Sequence, residues 1–288
     1  MPEDVYQVSK ESFPGTLRHI ADPPKTLYIR GKLPPKDHKL LCIVGSRALS
    51  DYGRRVLTHF FKTLQGHPIS IVSGLALGTD GLAHKLALQH GLHTIAIPGG
   101  GISDKALYPK THAYLAQDIL KAGGALVSEF PPEFRAQMWS FAKRNRIMAG
   151  MSDVVFMLEA GEKSGTLITA RMSSEYNKEL CTIPHPLFSE HGKGPHQFLR
   201  LGATIVTEPE HILELLGLDG TEPELSVSMR PLEKKLYEIL EEPQTLEQLI
   251  LLLSLPREDI LSLLSGLELK GIITLHGGAY VRLRNPKT

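Results

Sequence analysis

Four short segments of this sequence combine glycine with residues able to hold an anion: Gly45-Ser46-Arg47, Ser73-Gly74-Leu75-Ala76-Leu77-Gly78-Thr79-Asp80, Pro98-Gly99-Gly100-Gly101 and Ser164-Gly165-Thr166. Glycine lets a backbone approach a ligand closely, and a turn that opens a helix offers unpaired N–H groups to a phosphate. Arg47 adds a planar, permanently charged fork that matches phosphate oxygens. One such turn is ordinary loop geometry. Four of them, carrying Ser, Thr and Arg, point to a phosphate-lined cleft with Gly45, Ser46, Arg47, Ser73, Gly74, Gly99, Gly100, Ser164, Gly165 and Thr166 as candidate contacts.

The densest basic cluster is Phe141-Ala142-Lys143-Arg144-Asn145-Arg146, with Arg135 and the only tryptophan, Trp139, just upstream. Three cations in four residues supply charge for a phosphodiester backbone, and the rings supply stacking surfaces that accept any base. A second reading stays open: a solvated helix face with Trp139 and Phe141 packed in the core.

Other chemistry is poorly supported. Cys181, His185, His191 and His196 match no zinc spacing, so no metal is expected. Neither G-x-G-x-x-G nor G-x-x-x-x-G-K-[ST] occurs, nor the G-x-S-x-G elbow of a serine hydrolase, and no cofactor is expected. Glu129 and Glu159 both end apolar runs near the expected cleft. They read as capping groups or as partners of Arg144 or Arg146 rather than as a general acid/base pair.

The elements that must position these residues follow from hydropathy. Apolar runs at 40–45, 70–74, 93–99, 125–130, 153–160, 180–184 and 203–207 are continuous rather than alternating, as strands buried on both faces of a parallel sheet are. Helix-compatible stretches at 52–65, 79–90, 111–121 and 165–177 separate them. Such alternation predicts a doubly wound, mostly parallel α/β sheet with its ligand beyond the carboxyl ends of the strands. Residues 217–228 read as an acidic linker. After it, three helical stretches and two short strands around Gly277-Gly278 match a winged helix, with Thr245 as a helix N-cap and Pro256 opening the third helix.

The chain has 288 residues, a formal charge of +1, 42% hydrophobic and 22% charged residues, which excludes collagen-like, disordered and disulfide-scaffold classes. Split along the sequence, residues 1–207 hold 24 Lys+Arg against 17 Asp+Glu, while 208–227 hold six acids and no base. Residues 228–288 hold eight of each. The body is therefore basic enough for a polyanion, and the near-zero total is a cancellation. The third helix of the tail leans acidic, which suits partner docking or a dimer contact better than duplex DNA. No apolar stretch approaches the ~20 residues of a membrane helix, and two cysteines in apolar runs fit a reducing, cytoplasmic setting.

Taken in order, SFPGTLRHIADPPKTLYIRGKLP, CIVGSRALSDYG, IVSGLALGTDGLAHKLAL, TIAIPGGGISDKALYP, GGALVSEFPP and FAKRNRIMAGMSDVVFMLEAGEKSGTLITA resemble the DNA-processing protein DprA/Smf family over about residues 12–216. The resemblance implies an extended Rossmann-like fold followed by a small winged-helix domain, dimerisation, and binding of single-stranded DNA without sequence preference. It implies no enzymatic activity but protection of incoming single strands in natural transformation and loading of the recombinase RecA, also where single-strand-binding protein is present. Carried over by motif, the DNA pocket falls on Gly45, Ser46, Arg47, Phe141, Lys143, Arg144, Asn145 and Arg146, with Ser164-Gly165-Thr166 beside them. The expected divisions are a lead-in at 1–39 packing on the Rossmann-like domain, that domain at 40–216, the linker at 217–228 and the winged helix at 229–288.

Departures are Ala142 in place of the family's proline, His185 in place of a glycine, Asn177-Lys178 in place of Gly-Arg, and only about eleven residues before the SFPGTL segment. The alternative reading is a nucleotide phosphoribohydrolase relying on Pro98-Gly99-Gly100-Gly101 and Glu129. It lacks the P-G-G-x-G-T-x-x-E string on one loop.

Overall fold

The computed structural model describes residues 4–218, 231–240, 242–253, 255–269 and 272–282, so most of the expected acidic linker lies outside the described residues. The chain divides into two compact units, Met1–Pro223 and Glu224–Thr288.

In the first unit the elements are β1 (Val5–Ser9), β2 (Thr26–Gly31), β3 (Lys39–Val44), α1 (Asp51–Leu64), β4 (Ile69–Ser73), α2 (Thr79–Gln89), β5 (His93–Ala96), α3 (Ala113–Lys121), β6 (Ala125–Ser128), α4 (Met138–Met151), β7 (Val154–Met157), α5 (Thr166–Glu175), β8 (Glu179–Thr182), α6 (Lys193–Arg200), β9 (Thr204–Ile205) and α7 (Glu210–Leu215). The nine strands form one sheet in the order β1-β2-β6-β5-β4-β3-β7-β8-β9. Every pair from β6 to β9 is parallel, while β2 joins β6, and β1 joins β2, in antiparallel register.

All seven continuous apolar runs are strands, and the central ones are covered on both faces, while the edge strand β9 leaves Ile205 half exposed. On β3, Leu40, Cys42 and Val44 belong to one apolar cluster and Leu41 and Ile43 to the other. Ile147, Met148 and Met151 of α4 pack on the first face. Leu57, Phe60 and Phe61 of α1 pack on the second, where Phe60 stacks on Phe156 at 5.7 Å. Burial of this kind is the main stabilising term, at about 25 cal/mol per Å² of apolar surface.

The lead-in segment is part of the sheet itself. Leu27 and Ile29, alternating on β2, are fully buried, and Tyr28 pairs with Ser128 across the antiparallel edge. Helix α4 lies outside the four helix-compatible stretches, although a helix face is one of the two readings of the Phe141–Arg146 cluster. Its apolar and basic residues lack a clean helical stripe, since both sides of its C-terminal half are buried.

Strand order decides where a ligand can lie. From β3 the chain steps outward through β4, β5 and β6, then returns to place β7 on the other flank of β3. The loops after β3 and β7 therefore diverge to opposite layers and leave a crevice between them.

The second unit holds α8 (Pro231–Ile239), α9 (Leu246–Leu253), α10 (Arg257–Leu269), β10 (Ile273–His276) and β11 (Ala279–Arg282). Leu236, Leu249, Ile260, Leu264 and Ile272 form its core. Thr245 caps α9: the Gln248 N–H donates to Thr245 Oγ1 at 3.3 Å, and Gln248 Oε1 accepts from the Thr245 N–H at 2.7 Å. Helix α10 begins directly after Pro256, whose carbonyl accepts from the Asp259 and Ile260 N–H groups. Gly277 and Gly278 both have positive φ, 60° and 85°, the geometry a two-residue hairpin turn needs.

Candidate nucleic-acid interface

A cleft of about 710 Å³ opens at the carboxyl ends of β3 and β7. Its walls are the loop after β3, the loop after β7 and one side of α4. Of the residues expected from sequence, Gly45, Ser46, Arg47, Phe141, Arg144, Asn145, Ser164, Gly165 and Thr166 line it.

The loops are tied to each other by backbone acceptors. Thr166 Oγ1 donates to the Gly45 carbonyl at 3.0 Å, and the Thr79 N–H and hydroxyl both donate to the Ser46 carbonyl, at 3.1 and 3.2 Å. A Cβ on residue 45 would collide with Thr79, so glycine is required there by close approach. Asn145 Nδ2 reaches the Gly165 carbonyl at 3.4 Å and joins α4 to the same set.

Three helix N-termini face this region, and they differ. The sequence suggests that α1 offers its N–H groups to a ligand. Instead the buried Glu159 carboxylate already accepts from the Ser50 N–H at 3.0 Å and from the Ser50 hydroxyl, while Ser50 Oγ accepts from the Gly53 N–H. Helix α2 carries Asp80 in its first turn, buried and accepting from the Gly74 and Ala76 N–H groups at 3.1 and 3.4 Å. Helix α5 has no acid in its first turn; its Thr166 N–H donates to the neutral Ser164 Oγ at 3.2 Å, and the space beside Gly165 is open. A helix start of that kind favours an anion.

Cations dominate the lining. Arg47 and Lys163 are exposed in the loops, and Arg144 is buried in α4, against the single acid Asp80. Arg144 is 5% exposed; its Nη1 donates to the Ile97 carbonyl and lies 3.4 Å from Met148 Sδ. Arg144 Nη1 and Asp80 Oδ2 both crowd the place where residue 74 would carry a side chain. Burial pushes the Asp80 carboxyl up, and the Arg144 charge opposes that.

Above the cleft the Arg47 guanidinium stands 5.6 Å from the Phe141 ring centroid, and Tyr108 meets the same ring edge-on at 5.9 Å. Arg47, Phe141, Tyr108 and Gly74 also line a small adjoining recess of about 40 Å³. Phe141 rests on Gly99, where a Cβ would collide with the ring. Its two neighbours keep one aromatic platform beside one cation.

The remaining expected residues lie elsewhere. Ser73 is fully buried and donates to the Ile43 carbonyl at 2.7 Å. Gly99 and Gly100 are buried supports, accepting from Ser140 Oγ at 2.5 Å and Ser128 Oγ at 2.7 Å. Arg146 points away from the cleft, with Nη2 2.6 Å from Glu129 Oε2 and Nε 3.2 Å from Asp22. Lys143 is exposed, 3.4 Å from the same Glu129 oxygen. Glu129 and Glu159, the two acids near strand ends, are thus engaged in ion pairing and helix capping, and neither lines the cleft.

Met138, Lys163 and Tyr108 join the site without having been singled out in the sequence. Lys163 could have been found as the basic residue directly before Ser164. Met138 and Tyr108 carry no local signal. Among the departures, Ala142 sits inside α4, where a proline would lack the N–H that a helix interior needs. Asn177 takes φ 52°, a left-handed conformation that asparagine tolerates. His185 Nε2 donates to the Leu158 carbonyl, 2.9 Å away, and the ring meets Tyr52 edge-on at 5.4 Å.

Comparison with known proteins gives one consistent result. The profile described as DNA recombination-mediator protein A matches residues 4–217. Protein Smf of Escherichia coli (strain K12) is 38% identical over 285 residues, covering 95% of this chain and 76% of its own. The crystal structure of DNA processing protein A from Streptococcus pneumoniae superposes with a TM-score of 0.68 at 32% identity, covering 74% of each chain. DNA processing protein A from Helicobacter pylori, solved in a study of its single-stranded DNA binding mode, gives a TM-score of 0.65 at 28% identity, covering 75% of this chain and 96% of that one.

Proposed function

The chain belongs to the DNA recombination-mediator protein A family, and from that membership we propose that its cleft holds single-stranded DNA without regard to sequence. The family's members are DNA-binding recombination mediators, and a mediator's role is the one this chain has. The observation that carries the finer reading is Arg47 poised 5.6 Å over Phe141 at the mouth of a cleft lined by Lys163, Arg144 and the acid-free start of α5. Phosphates would bind Arg47, Lys163 and the Ser164 hydroxyl at the start of α5, and a base would stack on Phe141. Shape and charge, not base-edge hydrogen bonding, would then set the affinity.

In this reading the protein acts without chemistry of its own. It covers incoming single strands in natural transformation and helps load RecA onto them in the cytoplasm, also where single-strand-binding protein is present, and it works as a homodimer. The acid that a phosphoribohydrolase would rely on, Glu129, is held by Arg146 and Lys143 outside the cleft.

A salt-titrated comparison of oligo-dT with duplex of equal length tests the reading. Single-strand affinity should fall with salt at a log–log slope of about −0.7 per phosphate neutralised, and Arg47→Ala should weaken it. Equal affinity for duplex, or indifference to Arg47→Ala, would overturn it. RecA-mediated strand exchange on coated single strands tests the loading step separately.

A further inference from the structure

Helix α4 exposes an aromatic surface just outside the cleft. Met138, the first residue of the helix, lines the cleft and is 89% exposed. Trp139, one position on, is 55% exposed. At 100° per residue, Met138, Phe141, Ala142 and Asn145 share the cleft side, while Trp139 and Lys143 occupy the side next to it. Met138 therefore forms the edge over which a strand would leave the cleft.

The indole is held in place but not covered. Phe130 and Phe134 stack on each other at 4.5 Å and 15°, and Trp139 meets them at 5.6 and 5.9 Å with steep angles of 79° and 66°. Neither ring stacks on it. Lys143 Nζ stands 5.6 Å over Phe130, and Arg135 is exposed in the loop before the helix. A lone exposed apolar residue has no particular meaning. Here a large ring and an exposed methionine adjoin a cationic cleft, with Arg135 exposed near Glu133 and Lys143 exposed although 3.4 Å from Glu129, and the same helix supplies both surfaces.

We propose that Trp139 is a second base-stacking platform, which receives a single strand as it passes over Met138 and whose phosphates are met by Lys143 and Arg135. The inference rests on the reading of the cleft as a single-strand site. It adds that the bound strand continues along α4 rather than ending at Phe141. Ala142 matters to this arrangement, because a proline at that position would break the helix below Met138 and Trp139.

Because Trp139 is the only tryptophan, the intact protein reports on it directly. Indole emission is followed while the full chain is titrated with a short oligo-dT that fills only the cleft and a long one that overruns it. Emission should be quenched by the long strand and much less by the short one. Trp139→Ala should weaken the long strand by roughly 5- to 150-fold, the equivalent of about 1–3 kcal/mol for one stacked base, and leave the short strand within about twofold. Trp139→Phe should keep most of the affinity, and an unchanged melting temperature shows that the Phe130–Phe134 pair still packs.

If both strands bind but neither quenches the indole, or Trp139→Ala binds long strands normally, the platform is overturned while the cleft reading stands. If neither strand binds at low salt, both fall. If a protein partner alone moves the emission, the surface is a protein dock and the proposal is wrong.

Discussion

The guanidinium of Arg47 and the ring of Phe141 lie 5.6 Å apart although one belongs to the loop after β3 and the other to α4. A cation over a ring face is worth about 0.5–2 kcal/mol, more when water is excluded. The contact keeps the ring and the phosphate-binding fork side by side, at a separation that one nucleotide can bridge.

Arg47→Ala should lower oligo-dT affinity by about ten- to a hundredfold for every sequence tested, and reduce the magnitude of the salt slope by about 0.7–1. Arg47→Lys should restore the charge but not the planar fork, and fall between the two. Fluorescence anisotropy across a salt series reads both. A sequence-dependent loss would argue against backbone contact.

Gly99→Ala places a methyl group where the Phe141 ring now rests. The ring must move, so affinity should drop by up to about 1–3 kcal/mol, as for loss of one stacked base. Stability should suffer by only about 1–3 kcal/mol, because one side chain can shift. Thermal melting and DNA binding measured on the same sample separate the two effects.

Arg144 and Asp80 serve the site from beneath. Truncating one member of a buried charged set leaves the other uncompensated, at about 3–5 kcal/mol. Arg144→Ala should therefore appear chiefly as lost stability in chemical denaturation, and Gly74→Ala should be nearly as damaging because its methyl would collide with Arg144 and crowd Asp80. Arg47→Ala, on an exposed loop, should cost no more than the roughly 0.5–1 kcal/mol of an exposed cation–π contact.

Acid should destabilise the first unit through its buried histidines. Burial holds His84 down to about 3, and a histidine in an unfolded chain titrates near 6.5. Between those values the unfolded chain binds a proton that the folded chain refuses. Stability then falls as pH drops from 6.5 toward 3, by up to about 1.4 kcal/mol per pH unit for this one group, and is insensitive to it above neutrality. His67, His90, His93 and His185 are lowered by burial as well and act in the same direction. His84→Asn, which can keep a partner for Thr94 Oγ1, should show a shallower loss of melting temperature between pH 6.5 and 5 than the wild type. Parallel profiles would sink the assignment.

Much of the fold is legible in the chain because continuous apolar runs admit few alternatives. Seven such runs are seven strands, and Leu40 to Val44 already alternate between two covered faces. The lead-in strands are not legible in the sequence, since β2 gains its status from pairing with β6 across about a hundred residues and β1 from pairing with β2 in turn. A helix at α4 is one of the two readings the Phe141–Arg146 cluster allows, but its orientation is not legible: Arg144, Asn145 and Arg146 are buried and Trp139 is half exposed, which no polarity pattern anticipates.

The candidate site divides in the same way. Residue types and turns marked the loops at Gly45-Ser46-Arg47 and Ser164-Gly165-Thr166, because glycine, hydroxyls and a guanidinium beside a strand end have a local physical meaning. Direction did not follow from composition. Three cations in four residues look alike in sequence, yet the 100° helical step sends Lys143 to solvent, Arg144 toward Asp80 and Arg146 toward Glu129 and Asp22. The sequence by itself determined the strand-and-helix alternation, the basic body and the loops able to hold an anion, all of which depend on neighbours in the chain. Only the tertiary structure decided that Glu159 occupies the α1 terminus, that no acid occupies the start of α5, and that Arg47 meets Phe141. Those outcomes depend on strand order and on partners brought together from distant segments, which local preferences do not encode.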